Sequence, residues 1–203
     1  MNGPVWAERS GDEAIADHVA EAMSGGGTAA VPASAASEAI LRSLAGRPLP
    51  WDRTAFTLTD DCEVAPDHPA SRYGRLVGAL GETGVVLARF APVWEDFRFR
   101  LVLIEVGADG AVASILPGLP LEPDAPPDLA RSPRPKRPPP GEPFPRTTLN
   151  YAALANCDEL IAIVRDEGGK AAVEAAEGGG SDLPVARLLR RIEGPVTIFR
   201  SAP

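Results

Sequence analysis

Asp60, Asp61 and Cys62 stand side by side in TDDCEVAPDHPASRYG, and His68 follows six residues after the cysteine. One polar stretch therefore carries two carboxylates, a thiol and an imidazole. A carboxylate there, or Asp109 in the later VGADGA, becomes a useful general base when desolvation lifts its pKa toward the working pH. Histidine is the better base near neutrality, and the chain has two, His18 and His68. His18 falls in the middle of a helical pattern. His68 precedes Pro69 and also reads as a plain surface turn. A Cys62–His68 thiol nucleophile is the weakest option, because the spacing is neither adjacent nor helical. Asp109, placed before Gly110, favours a tight turn. No C-x-x-C pair occurs and a site of several imidazoles is excluded, so neither metal nor cofactor is expected.

The strongest positional signal lies at residues 101–118, LVLIEVGADGAVASILPG. An aliphatic run enters Gly107, Asp109 and Gly110, and a small-residue segment continues to Pro117-Gly118. That is a buried strand, a tight turn and a new element starting above the strand's carboxyl end. Sites in α/β sheets are built there. Yet Ala111, at the tip of the turn, carries no chemistry.

Composition sets the outer limits. The chain has 203 residues, a net charge of −8 and a pI near 4.8. An acidic surface argues against nucleic acid and anionic membranes as partners. It leaves room for a small anion in a local basic pocket. Two cysteines make no disulfide framework and fit a reduced, cytoplasmic setting. The first 23 residues contain acidic side chains and no long apolar run, unlike a signal peptide or a membrane span.

The elements that must position these residues alternate along the chain. Helices are predicted at 11–23, 37–46 (capped by Ser37), 72–80, 147–157, 168–178 and 183–194. Strands are predicted at 28–32, 54–59, 83–90, 97–106, 158–166 and 195–201. Residues 60–71 read as a polar loop. Residues 117–145 hold twelve prolines, including the basic run 131–137, and read as an irregular or polyproline-like segment within one domain spanning 1–203. The alternation predicts an α/β fold, a mostly parallel sheet with helices on both faces. The loops that follow its strands are 32–37, 60–73, 107–114 and 166–170.

Those four loops, in order, resemble the 6-phosphogluconolactonase family, whose fold is shared with glucosamine-6-phosphate deaminases and isomerases. TDDCEVAPDHPASRYG at 59–74 is similar to the family stretch that begins Asp-Glu-Arg and ends Ser-Asn-Tyr. VGADGAVASILPG at 106–118 resembles its Gly-x-Gly-x-Asp-Gly-His-Thr-Ala-Ser-Leu-Phe-Pro-Gly. PRTTLNYAALANCDELIAIV at 145–164 resembles its Arg-x-Thr-Leu segment and following strand, and GGKAAV at 168–173 its Gly/Lys helix start. LPVARLL and PVTIF resemble its C-terminal end.

The departures gather at the site. The family histidine falls on Ala111, its Asp-Glu-Arg glutamate on Asp61 and arginine on Cys62, and its loop asparagine on Arg72. The phosphate loop Ser-Gly-Gly-Ser-Thr-Pro is best matched by PASAAS at 32–37, without glycines. The resemblance implies hydrolysis of 6-phosphogluconolactone to 6-phosphogluconate in glucose-6-phosphate oxidation, with a displaced base. The alternative is a catalytically retired relative that binds a sugar phosphate or a protein partner. The substrate-binding candidates are Ser34, Ser37, Arg72, Gly110, Arg146 and Lys170. Arg146 matches the family arginine that meets the phosphate, and Arg72 stands in for the arginine lost at Cys62. Lys170 opens a helix whose N–H groups favour an anion. His68, Asp61 and Asp109 remain as bases.

Overall fold

Runs of branched aliphatics separated by Gly- and Ser-containing turns become ten strands and six α-helices in the computed structural model, which describes residues 3–90, 97–121, 126–132 and 143–202. In chain order these are β1 (Val5–Trp6), α1 (Asp12–Ala22), β2 (Gly27–Val31), α2 (Glu38–Ala45), β3 (Thr54–Leu58) and β4 (Asp60–Cys62). Then come α3 (Arg72–Leu80), β5 (Val86–Leu87), β6 (Phe99–Val106), β7 (Leu129–Ser132) and β8 (Arg146–Leu149). The chain closes with α4 (Tyr151–Ala155), β9 (Cys157–Val164), α5 (Glu167–Glu177), α6 (Pro184–Leu189) and β10 (Val196–Arg200).

Seven strands form one sheet in the order β1-β10-β9-β6-β2-β3-β5, and every pairing in it is parallel. The central strand β6 is buried almost throughout. Its side chains alternate between faces, as a pleated strand requires. Leu101 and Leu103 join the cluster formed with α1, α2 and α3 through Ile15, Ile40, Leu44 and Leu76. Val102 and Ile104 join the opposite cluster, with Leu154, Val173, Val185 and Leu188 from α4, α5 and α6. The expected parallel sheet with helices on both faces is therefore the fold. Among the described residues, no helix is long and apolar enough to cross a membrane.

Strand order reverses between β2 and β6. From β2 the chain builds outward to β3 and β5, and from β6 it builds the other way to β9 and β10. Such a reversal opens a crevice at the carboxyl ends of the two strands. Over it sits a second sheet of three antiparallel strands, β4-β8-β7. It is tied down where Thr59 N–H donates to Val31 O at 3.0 Å and Leu149 N–H donates to Thr59 O at 2.8 Å.

That small sheet accounts for most of the differences from the sequence expectations. Residues 60–62 are a buried strand and not the start of a polar loop, because their carboxylates find internal partners. The helix expected over 147–157 is strand β8 followed by the short α4. The β-branched pair Thr147-Thr148 prefers the strand, and Asn150 starts the helix by accepting the Ala153 N–H at 2.8 Å. The proline-rich stretch 117–145 contains β7, which pairs with β8. The expectation for 122–125 and 133–142, including most of the basic run, falls outside the described residues. Within 83–90 only Val86–Leu87 is strand, and α6 ends at Leu189, short of the expected 194.

Candidate functional site

Asp60 opens β4, just past the carboxyl end of β3, and is fully buried. Its Oδ1 accepts Arg72 Nη1 at 2.5 Å and the Thr59 hydroxyl at 3.2 Å. Its Oδ2 accepts Arg146 Nη1 at 3.2 Å and the Ser114 hydroxyl. Arg72 opens α3 and Arg146 opens β8, and both are almost wholly buried. The long apolar run of β6 makes its turn at the same place, so Ser114 reaches Asp60 from above that strand. Thr148 Oγ1 accepts the Ser114 N–H at 3.3 Å and thereby fixes this arm to β8. One carboxylate thus gathers donors from its neighbour Thr59 and from three other segments of the chain.

Asp61 faces the other way along β4. It accepts the Arg72 N–H at 2.7 Å and the Tyr73 N–H at 3.4 Å, at the start of α3. Arg89 Nε donates to the same carboxylate at 2.8 Å. Arg89 Nη2 also donates to the carbonyls of Cys62 and Val64, at 2.7 and 3.0 Å. Asp61 is therefore a helix-capping and ion-pairing group. This occupation leaves it poorly placed to take a proton from water.

The turn over β6 is built by Gly110, whose φ of 73° suits glycine and whose missing side chain lets Leu183 approach. Gly110 N–H donates to Gly107 O, and Val185 N–H of α6 donates to Gly110 O at 2.9 Å. Asp109 Oδ1 accepts the Ala111 N–H at 3.0 Å, the turn-forming role that Asp before Gly favours. The Asp109 side chain is exposed at the tip, and Ala111 is half-buried beside it.

Two helix starts complete the edge. On α5, Asp166 accepts the Gly169 N–H at 2.7 Å, and a Cβ at Gly169 would stand 2.6 Å from Val106 O. The start of α5 is thereby pressed against the carboxyl end of β6, where the turn begins. Lys170 lies one residue on, with its ammonium 3.5 Å from Glu167 and 3.7 Å from Glu174 of its own helix. In the 32–37 loop, Ser34 and Ser37 bond each other. Ser37 Oγ accepts the Ser34 N–H at 2.8 Å, Ser34 Oγ accepts the Ser37 N–H at 3.1 Å, and the hydroxyls lie 3.1 Å apart. Ser37 precedes α2, but its hydroxyl closes this loop and does not cap the helix. Ala33 holds a φ of 42°, a conformation that glycine adopts without strain.

His68 is exposed. Its Nδ1 accepts the Ala70 N–H at 3.0 Å, and its ring stands edge-on to Phe144 at 5.0 Å. The His68-Pro69 pair is a surface turn. His18 lies on α1, where its Nε2 meets Glu159 at 2.6 Å. Burial pushes the Cys157 thiol up to about 12, so it stays protonated and unreactive.

Sequence reasoning singled out Arg72, Arg146 and the turn at 109–110, which the fold brings to one edge. It missed the roles of Thr59, Ser114, Thr148 and Arg89. A signal for Asp60 was present: two adjacent carboxylates directly after the apolar TAFTL. Charges at the end of a buried strand need partners.

Fold and cluster together define a doubly wound α/β protein with a buried arginine–carboxylate network over its switch point. The sequence profile described as glucosamine-6-phosphate isomerases/6-phosphogluconolactonase matches residues 79–197. A 6-phosphogluconolactonase of Caulobacter vibrioides is 31% identical over 173 residues, covering 74% of this chain and 72% of the relative. The 6-phosphogluconolactonase structure from Trypanosoma brucei superposes with a TM-score of 0.80 at 17% identity, covering 99% of this chain and 97% of that one. The Leishmania guyanensis structure gives 0.79 at 16% identity, with 98% and 97% covered. The chain belongs to the glucosamine-6-phosphate isomerase/6-phosphogluconolactonase family.

Proposed function

We propose that this protein hydrolyses 6-phosphogluconolactone to 6-phosphogluconate, the activity named for its Caulobacter relative. The observation that carries the reading is the pair of buried guanidiniums, Arg72 and Arg146, fixed on Asp60 at the switch-point crevice. Guanidiniums are suited to a phosphate, which they meet with paired, charge-assisted hydrogen bonds. In this reading they hold the substrate's phosphate, and Lys170 adds a cation beside the turn after β6. Gly110 shapes the turn so that the lactone can lie against its backbone. Ser34 and Ser37 serve by shaping the 32–37 loop.

The chemistry needs a base for water. Of the three candidates, Asp61 has both oxygens engaged and His68 lies in a surface turn away from β6, whereas Asp109 stands exposed on the turn after β6 and bonds the Ala111 N–H through Oδ1. Its carboxylate would take a proton as the water oxygen attacks the lactone carbonyl carbon. The tetrahedral intermediate then collapses, the ring C–O bond breaks, and the departing alkoxide recovers a proton as the sugar hydroxyl. An exposed carboxylate is a weaker base than an imidazole at neutral pH, so a modest rate is expected. We place the reaction in the cytoplasm, where Cys62 and Cys157 are stable as thiols.

A second reading rests on Ala111. The turn occupies the place where the resemblance puts a histidine, and its tip carries a methyl group. A retired enzyme that binds a sugar phosphate, or a protein partner, would look the same there. Hydrolysis of freshly made 6-phosphogluconolactone, followed by a linked absorbance assay, separates the two. The expected result is a rate proportional to protein concentration and above spontaneous hydrolysis. A rate equal to the spontaneous one at high protein concentration overturns the enzymatic reading.

A further inference from the structure

Asp60 looks at first like a buried acid waiting for a proton. Its hydrogen bonds say otherwise. Each oxygen accepts two donors: Arg72 and Thr59 on Oδ1, Arg146 and Ser114 on Oδ2. A carboxylate has about four lone-pair sites, and these bonds use them. Asp60 therefore has no lone pair left to accept a further hydrogen bond from substrate or water.

The same bonds do something else. Arginine side chains are long and lose much rotamer freedom when a ligand orders them. Here both guanidiniums are already ordered, each giving its Nη1 to opposite oxygens of one rigidly held carboxylate. Asp60 itself is locked by β4, which pairs with β8 through Asp60↔Thr148. Its negative charge also offsets the repulsion between two cations held so close. A preorganised pair binds an anion more tightly than two mobile side chains do.

We infer that Asp60 is the positioning residue of this site: it sets the spacing and direction of the Arg72 and Arg146 guanidiniums toward a substrate phosphate, and Ser114 holds Asp60 in turn. The inference rests on the phosphosugar reading of the site. It predicts that Asp60 acts on substrate binding through the arginines and not on the chemical step.

Calorimetric titration with 6-phosphogluconate, together with KM and kcat for the lactone, tests it on the full chain. Asp60→Asn should weaken 6-phosphogluconate binding by about 10- to 100-fold, as misplacement of positioning groups by an ångström does. It should raise KM far more than it lowers kcat. Combined with Arg146→Ala, its effect on binding should be smaller than in the wild type, since part of what it acts through is gone. A purely structural role would instead lower stability while the two binding effects multiplied. Should Asp60→Asn fail to fold, Ser114→Ala, which removes no charge, decides: it should weaken binding by about three- to tenfold. Wild-type affinity in folded Asp60→Asn or in Ser114→Ala overturns the inference and leaves the hydrolase reading intact. So does a collapse of kcat with binding unchanged. A wild-type protein that neither binds 6-phosphogluconate nor hydrolyses the lactone overturns both.

Discussion

Arg72 and Arg146 hold opposite oxygens of the same carboxylate, one at 2.5 Å from Asp60 Oδ1 and the other at 3.2 Å from Oδ2. They reach it from the start of α3 and the start of β8, 74 positions apart in number (146 less 72). Each keeps the other's partner from being orphaned. That redundancy limits the damage when one of them is removed.

Arg146→Ala leaves Asp60 paired with Arg72, so the buried charge is not abandoned. The loss of stability should fall near the low end of what breaking a buried pair costs, about 3 kcal/mol. KM for the lactone should rise by roughly 10- to 100-fold, the worth of hydrogen bonds to a charged group. Urea unfolding and steady-state kinetics measure the two effects. An unchanged KM would remove Arg146 from the substrate.

Ala111→His restores the imidazole that the resemblance expects. The turn is already formed: Gly107 N–H donates to Ala111 O at 3.2 Å, and Ala111 N–H to Asp109. Ala111 is half-buried, so a larger side chain can point outward without overpacking. A general base contributes about 10²–10⁴ in rate, and kcat should rise toward that range. The gain should titrate in with an apparent pKa near about 6.5. Retained 6-phosphogluconate binding with no gain in kcat would mean that the imidazole does not reach the lactone.

The sheet was legible because its strands are long and apolar. LVLIEV and ELIAIV cannot be read as anything exposed, and the helices between them carry clear apolar faces. The small antiparallel sheet was hidden. β4 is three residues of DDC, polar by composition, and it is a strand only because Arg72, Arg89 and Arg146 arrive from elsewhere. No local pattern carries that information. The candidate site was legible where a residue type and its spacing survive, as at Arg146 and Asp109-Gly110. It was opaque where a group is defined by its partners, as at Ser114. Ala33 and Ala113 show the same limit in the backbone: both have positive φ, 42° and 50°, which alanine does not announce.

Two glycines in helices should respond oppositely to alanine. At Gly169 a Cβ would lie 2.6 Å from the Val106 carbonyl, and the backbone there belongs to the central strand. Gly169→Ala should destabilise by about 1–3 kcal/mol, as overpacking does, and should slow hydrolysis by shifting the turn after β6. At Gly78 on α3, nothing lies within 4 Å of the added carbon. Gly78→Ala should stabilise by roughly 0.5–1 kcal/mol, the ordinary helix preference. Thermal unfolding of the two variants checks both signs.

The pair at the opposite, amino-terminal edge of the sheet sets a pH dependence. Glu159 accepts His18 Nε2 at 2.6 Å and the Thr197 hydroxyl at 3.1 Å, and the imidazole stands edge-on to Phe199. The hydrogen bond to Glu159 raises the His18 pKa above 6.5, against the pull of burial. Burial works to raise Glu159, but the bonds from His18 and Thr197 bring it below 4.5. A raised histidine contributes stability that is full below about 6.5 and lost as pH climbs through its folded value. A lowered glutamate contributes stability that is present above about 4.5 and lost as pH falls through its folded value. The pair therefore stabilises most between those limits, by no more than about 1 kcal/mol after solvent screening. His18→Gln should lower Tm near pH 5.5 and change it less at pH 8.5, because the imidazole loses its charge as pH climbs through its folded value. An equal loss at both pH values would show that His18 contributes through packing on Phe199 and not through its charge.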